Sequence, residues 1–198
     1  EGAGADRVGT IGLHAPQIHG VFRIPVGDRF ALPVVGKAIK AKKLQNLVVV
    51  SPDTGFVKQA RRYATLLQCN LAIGDKERIN HDENAEILQI IGDVKGKTAM
   101  IVDDFAISAG TLVEIANTLI EKGASSVYAA ITHGVFAPGT KERIDDSPIT
   151  KLLVTDSIET QPTPMSDKVE IVSVAAYLGE AIRRIHNRES ISVLFSNA

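Results

Sequence analysis

TAMIVDDFAISAGT, residues 98–111, decides how the rest of this chain is read. It opens with Ala99, Met100, Ile101 and Val102, an apolar run that suits a buried parallel strand. Two adjacent carboxylates follow, Asp103 and Asp104, and then a short loop closing on Ser108-Ala109-Gly110-Thr111. Beyond it, Leu112, Ile115, Ala116 and Leu119 recur at i, i+3, i+4 and i+7, the spacing of an amphipathic helix. The reading is strand, acidic corner, small-residue loop, helix start. In an open parallel sheet, ligands bind at the carboxyl ends of the strands. A helix N-terminus placed there offers unpaired N–H groups and the positive end of its dipole, which suits a phosphate. No Gly-Lys-Ser/Thr follows, so the loop is not of the Walker type.

The carboxylates would repel a phosphate and need another partner. They suit sugar hydroxyls, as acceptors, or Mg²⁺, as hard oxygen ligands. Neighbouring strand side chains point to opposite faces, so both acids can meet one ligand only if the strand ends here. A sugar phosphate would use both halves of the motif. The competing reading is a solvated acidic turn followed by an ordinary Ser N-cap.

Outward from this stretch the pattern repeats. Residues 47–50 form a second apolar run, followed by Ser51-Pro52-Asp53-Thr54-Gly55 and a helix with Val57, Ala60, Ala64 and Leu67 inward. Asp53 and the Asp103/Asp104 pair are then expected on one edge of one sheet, although a turn or cap role for Asp53 is the plainer reading. His14 follows a short strand over 8–13, another position at a strand end. Strands are also expected at 71–74, 87–91, 127–131, 151–155 and 169–172. Helices are expected at 34–43 and 174–185, the latter with Val174, Leu178, Ala181, Ile182 and Ile185 on one face. Residues 25–33 read as loop, and 75–86 as a polar solvated loop whose Lys76 and Arg78 could close over a phosphate chain. The tail 191–195 alternates like a strand and is apolar enough to be expected to dock on something. Strands alternating with helices imply an α/β fold, doubly wound on a parallel sheet with helices on both faces.

Composition narrows the functional classes. The chain has 198 residues, 44% hydrophobic and 23% charged, with a formal net charge of −1. That balance gives no reason to expect nucleic acid or an anionic membrane as partner. One cysteine, Cys69, excludes an internal disulfide framework and fits a cytoplasmic setting. No apolar run has membrane-spanning length. The start, EGAGADRVG, is not a signal peptide and lacks Met, which points to a fragment or a processed product.

GLHAPQIHG at 12–20, FRIPV at 22–26, VVVSPDTG at 48–55, DKER at 75–78, IIGDVKGKTAMIVDD at 90–104, SAGT at 108–111, THG at 132–134 and EAIRRIHNRESIS at 180–192 occur here in one order and spacing. By these residues the chain resembles the C-terminal part of the ribose-phosphate pyrophosphokinase family along almost its whole length. The resemblance implies a type I phosphoribosyltransferase-like fold. It also implies transfer of the diphosphoryl group of ATP to ribose 5-phosphate, with Mg²⁺ as cofactor. By the same resemblance Lys76 and Arg78 are catalytic, and His14 and Asp53 match the Mg²⁺–ATP positions. Arg78, Asp103, Asp104, Ile107, Ser108, Ala109, Gly110 and Thr111 fall at the ribose-5-phosphate site. A homo-oligomer built from dimers, a hexamer in the family, is implied as well.

The resemblance further divides the chain. Residues 1–28 would be the remnant of an N-terminal domain, 29–188 the phosphoribosyltransferase-like domain, and 189–198 a tail packing on the absent domain. Two departures stand out. The family has an acid where this chain has Ile107, which cannot hydrogen-bond a ribose hydroxyl or a metal-bound water. The domain that carries the adenine pocket is absent, so the fragment is expected to keep the ribose-phosphate half-site without being a complete enzyme. Two other functions compete: a non-catalytic associated subunit of the same fold, and a phosphoribosyltransferase that consumes PRPP. The second would not need DKER or the His14 motif.

Overall fold

In the computed structural model of the chain, residues 1–29, 31–78, 86–159 and 165–196 are described. The apolar runs form the centre of a seven-stranded sheet. Its strands are β3 (Leu47–Ser51), β4 (Asn70–Arg78), β5 (Glu86–Ile91), β6 (Thr98–Ala106), β7 (Ser126–Gly134), β8 (Ile149–Thr155) and β9 (Val169–Val172). Their order across the sheet is β5-β4-β3-β6-β7-β8-β9. β1 (Val8–Ile11) and β2 (Val26–Arg29) pair separately as a parallel two-stranded sheet. The helices are α1 (Leu32–Ala41), α2 (Val57–Leu67), α3 (Gly110–Glu121), α4 (Thr140–Asp145), α5 (Ala175–His186) and α6 (Val193–Ser196), with a 3₁₀ turn at Pro16–Val21.

Alternation along the central strands splits the core in two. Val48, Val50, Ala99 and Ile101 pack with Leu112, Ile115 and Leu119 of α3 and Ile144 of α4. Val49, Met100 and Val102 pack on the other side with Val35 and Ile39 of α1 and Ala60, Tyr63 and Ala64 of α2. Both faces of the sheet are therefore covered, and residues 47–50 and 99–102 are apolar at every position because neither face meets water there. Each fully buried aliphatic side chain here contributes about 1.5–3 kcal/mol by leaving water. Among the described residues no helix is long and apolar enough to cross a membrane.

The structure departs from the sequence-based expectations in five places. The sheet is parallel except at one edge, where β5 runs antiparallel to β4. Residues 75–78 are strand rather than loop. β4 pairs with β3 only from Asn70 to Ile73, and beyond Gly74 it pairs with β5 alone. A two-stranded ribbon leaving the sheet need not bury a face, so its residues carry no apolar alternation to reveal it. Residues 26–29, expected as loop, form β2, because their partner β1 lies outside the main sheet. The tail forms the short helix α6 instead of a strand; no neighbouring strand is hydrogen-bonded to it among the described residues. Ile182, expected on the inner face of α5, is exposed, while Ala181 and Val174 are buried.

Candidate functional site

β6 does not stop at its acids. It continues through Asp103, Asp104 and Phe105 to Ala106, paired with β7 at Phe105–His133 and Ala106–Gly134. The alternation assigns Asp103 to the α3 face and Asp104 to the α1–α2 face. Even so, both line the same two cavities, because the neighbouring strand β3 has already ended at Ser51 and leaves this edge open. The expectation that the strand must end at the acids is thus corrected: it is β3, one place over, that ends.

One cavity, of about 300 Å³, is walled by the loop from Ile107 to Thr111; the other, of about 590 Å³, by α1 and α2. His14, Asp53, Asp103 and Asp104 line both and stand where they meet. Segments distant in sequence thus deliver the expected groups to one place. His14 is 72% exposed at its side chain and is held by its Nδ1, 2.6 Å from Oδ2 of Asp104, which is 14% exposed. The Phe105 ring meets the imidazole edge-on at 5.0 Å. An ionised Asp104 is acceptor-only, so Nδ1 carries the proton, and Nε2 bonds no other group among the described residues.

Asp53 does two things. Its Oδ1 accepts from the N–H of Phe56 at 2.9 Å, at the start of α2, and its carboxylate faces both cavities. No side chain caps α2 itself, so it is the turn reading that holds, together with the ligand-facing one. Asp103 is the perturbed acid of the group. Withdrawal from solvent, with the negative charges of Asp104 and Asp53 close by, pushes its pKa up to about 8, against the bond it accepts from the N–H of Asp104.

The loop after β6 is held from behind. The Ile107 carbonyl accepts from Ala137 N at 2.7 Å and from Thr140 Oγ1 at 3.2 Å, and the Ser108 carbonyl from Arg143. With the carbonyls engaged on the α4 side, the chain turns into α3 through Ala109, which is in the left-handed conformation at φ 56°. Ala109 is the N-cap and no side chain caps the helix; Ser108 Oγ reaches Gly110 N only at 3.4 Å. The ordinary Ser cap therefore does not occur. The first-turn N–H groups have no intrahelical acceptor, and they open on the smaller cavity. Ile107 lies on that cavity's wall and is 52% exposed.

The backbone of Lys76 and Arg78 lies in the β4–β5 ribbon, but their side chains, with residues 79–85, lie outside the described residues. Among the described residues no three His, Cys, Asp or Glu side chains converge so as to hold a metal ion by themselves. Three residues at or beside the site carry no role in the sequence-based expectations: His133, Phe105 and Arg143. His133 stands at a strand end as His14 does, within THG at 132–134, and that position is the available signal. Phe105 and Arg143 act through contacts that no local pattern reveals.

The model of the phosphoribosyl synthetase-associated domain matches residues 79–196, more than half of the chain. A ribose-phosphate pyrophosphokinase from Oceanobacillus iheyensis is 46% identical over 195 residues, 98% of this chain and 61% of that protein. One from Thermosipho africanus is 49% identical over 195 residues, with the same coverage. The chain thus spans about three-fifths of the length of the curated relatives it matches. A crystal structure of phosphoribosylpyrophosphate synthetase from Mycobacterium smegmatis superposes with a TM-score of 0.85 at 32% identity, covering 94% of this chain and 61% of that one. A type I phosphoribosyltransferase-like sheet, its two covered faces and a family match of this extent agree, and the chain belongs to the phosphoribosyl synthetase-associated domain family.

Proposed function

We propose that this chain supplies the ribose-5-phosphate half-site of a ribose-phosphate diphosphokinase, which moves the diphosphoryl group of ATP to the anomeric hydroxyl and gives PRPP and AMP. The observation that carries the reading is the uncapped N-terminus of α3 opening on a cavity that also holds Asp103, Asp104, Asp53 and His14. A phosphate seats on the Ser108–Thr111 amides and hydroxyls, where dipole and unpaired N–H groups favour it. The ribose hydroxyls donate to Asp103 and Asp104. Ile107, in the place of an acid, adds apolar wall and no hydrogen bond.

Mg²⁺ fits the donor set as an ion carried in on ATP. Such ions keep several waters and take one or two carboxylates besides the substrate phosphates, which is what Asp53 and its neighbours offer. When bound it would neutralise charge on the ATP phosphates. Asp53 would take the hard ion through oxygen; His14, a nitrogen group tethered by Nδ1, suits a phosphate oxygen or a metal-bound water through Nε2. Lys76 and Arg78 on the β4–β5 ribbon would add positive charge where it develops on the transferred group. An Arg fork also fits phosphate oxygens bidentately. In diphosphoryl transfer positioning and charge stabilisation do most of the work, and this site has the parts for both.

The domain limits 1–28, 29–188 and 189–198, a cytoplasmic location and a dimer-based homo-oligomer belong to the same proposal. Ribose 5-phosphate should raise the melting temperature of this chain, and no change at saturating ligand would sink the loop assignment. In the complete protein, Lys76→Ala should abolish PRPP formation, followed by AMP release, with circular dichroism unchanged. Undiminished turnover would remove Lys76 from the mechanism.

A further inference from the structure

His14 is mostly exposed, so its own packing does little to fix where its ring stands. Its place depends on the backbone that leads to it, and that backbone is tied down at the end of β7. Nε2 of His133 lies 3.0 Å from the carbonyl oxygen of Ile11 and 3.1 Å from that of Gly12. Two acceptors face this nitrogen, so it carries the proton and donates. Nδ1 of the same ring is 2.7 Å from Ser157 Oγ. Ser157 Oγ is itself fixed by Thr155 Oγ1 at 2.9 Å, which also bonds the Thr132 carbonyl at 2.6 Å. The ring is held at both nitrogens and cannot turn.

Gly12 adds steric registration. It sits at φ +62°, and a Cβ there would come within 2.9 Å of Thr132 Cγ2 and 3.0 Å of His133 Nε2. The chain at this point rests directly on the end of β7. Asp28 holds the other side, accepting from Thr10 Oγ1 at 2.9 Å and from Leu13 N at 3.3 Å. Two residues on from Gly12, His14 reaches Asp104.

We propose that His133 is a positioning residue: by clamping the Ile11 and Gly12 carbonyls to the end of β7, it sets His14 against Asp104 at the junction of the two cavities. It acts through His14 and touches no substrate. Its consequence for ligand binding rests on the function proposed above; the clamp itself does not.

The test uses the whole chain labelled with ¹⁵N-histidine. The Nδ1–H resonance of His14, assigned by its disappearance in His14→Ala, reports the bond to Asp104. His133→Leu should shift or broaden it and speed amide exchange of residues 12–15 at least ~10-fold. Amides of 108–112 should be unchanged, which a merely structural role for His133 would not predict. His133→Gln, which keeps a donor near the Nε2 position, should restore most of the signal. If His133→Leu does not fold, Ser157→Ala frees the ring and should move the same two readouts in the same direction. A His14 resonance and 12–15 exchange equal to wild type in the folded variant would overturn the proposal, as would equal loosening of 12–15 and 108–112. Titration with Mg²⁺–ATP then separates the clamp from the function. His133→Leu should weaken binding ~10-fold in the wild-type background and not at all beside His14→Ala. If His14→Ala costs no affinity, the assignment of His14 to the nucleotide fails while the spectroscopic result stands.

Discussion

Two loops leave the same edge of the sheet with the same written pattern, strand, acid, glycine, helix, and they reach opposite electrostatic ends. After β3, Asp53 folds its carboxylate onto the N–H of Phe56, the residue just before α2, so an acid of the chain itself stands in the turn although no side chain caps the helix. After β6, the acids come before the loop rather than in it, and α3 begins at Ala109 with no side-chain cap. The first loop presents negative charge to the cavity, and the second presents a helix start whose nearest side-chain acceptor is a neutral hydroxyl, Ser108 Oγ, 3.4 Å from Gly110 N. Neither helix start is capped by a side chain, so the one that favours an anion is the one whose turn carries no carboxylate of its own. In this molecule the difference comes down to where the carboxylate falls relative to the turn.

The largest effect should come from erasing that difference. Ser108→Asp puts a carboxylate two residues before Gly110, the place Ser108 Oγ now occupies at 3.4 Å. The substitution should satisfy the open amides, raise α3 stability by about 1 kcal/mol, and abolish protection by ribose 5-phosphate or inorganic phosphate in a thermal-shift assay. Retained protection would mean that the anion does not sit on this helix.

Next in size is the pH response of Asp103. Its folded-state pKa is raised from an ordinary 3.8 to about 8, so the folded chain holds this proton more tightly than the unfolded chain. The stability it contributes is complete below about pH 4 and is lost as pH rises through about 8. Every tenfold gain in proton affinity corresponds to about 1.4 kcal/mol, so the ligand-free chain should lose on the order of a few kcal/mol across that window. Asp103→Asn should flatten the decline and raise the melting temperature at pH 8, while removing ribose-5-phosphate binding. A wild-type stability that rises from pH 5 to 8 would contradict the buried-acid reading of this corner.

Much of this contrast is legible in the sequence, and the part that is not has physical causes. The apolar runs at 47–50 and 99–102 announce buried parallel strands because neither face of the sheet is solvated. His14, Asp53 and Asp103 are legible because the ends of such strands are where side chains stop being needed for packing. The β4–β5 ribbon is not, since residues 75–78 leave the sheet and need no apolar face. Nor is the true cap of α3. Ser108 is the natural cap by residue type, but the bonds from the α4 side to the Ile107 and Ser108 carbonyls shift the turn to Ala109. That is a tertiary effect overriding local preference, and it is what leaves the amides open.

A smaller effect should separate the two duties of Asp53. Asp53→Asn keeps an oxygen acceptor for Phe56 N, so the turn should lose at most a few tenths of a kcal/mol, whereas Asp53→Ala removes that hydrogen bond and should cost about 1 kcal/mol. Both lose the charge that faces the cavities, and both should weaken Mg²⁺–ATP binding to a similar degree by calorimetry. If Asn binds Mg²⁺–ATP as wild type does, Asp53 is a turn residue alone, and the two loops differ less than their geometry suggests.

The finest adjustment is at Ile107. Its side chain is half out in solvent on the wall of the smaller cavity, and its backbone carbonyl is what ties it to the α4 side. Ile107→Asp therefore removes little packing and should change stability by less than about 0.5 kcal/mol, as exposed substitutions usually do. It would add an acceptor on the sugar side of the loop, away from the first-turn amides of α3, where a ribose hydroxyl can donate. One added hydrogen bond to a charged group is worth about 1.5–3 kcal/mol in favourable cases. Repulsion from Asp103 and Asp104 offsets part of it, so the expected gain is roughly three- to tenfold in ribose-5-phosphate affinity. Inorganic phosphate, which has no sugar, should gain nothing or bind more weakly. The two ligands thus answer different questions: loss of phosphate binding altogether would place the new carboxylate at the amide end of the loop, and unchanged ribose 5-phosphate would show that the hydroxyls are held by the β6 acids alone.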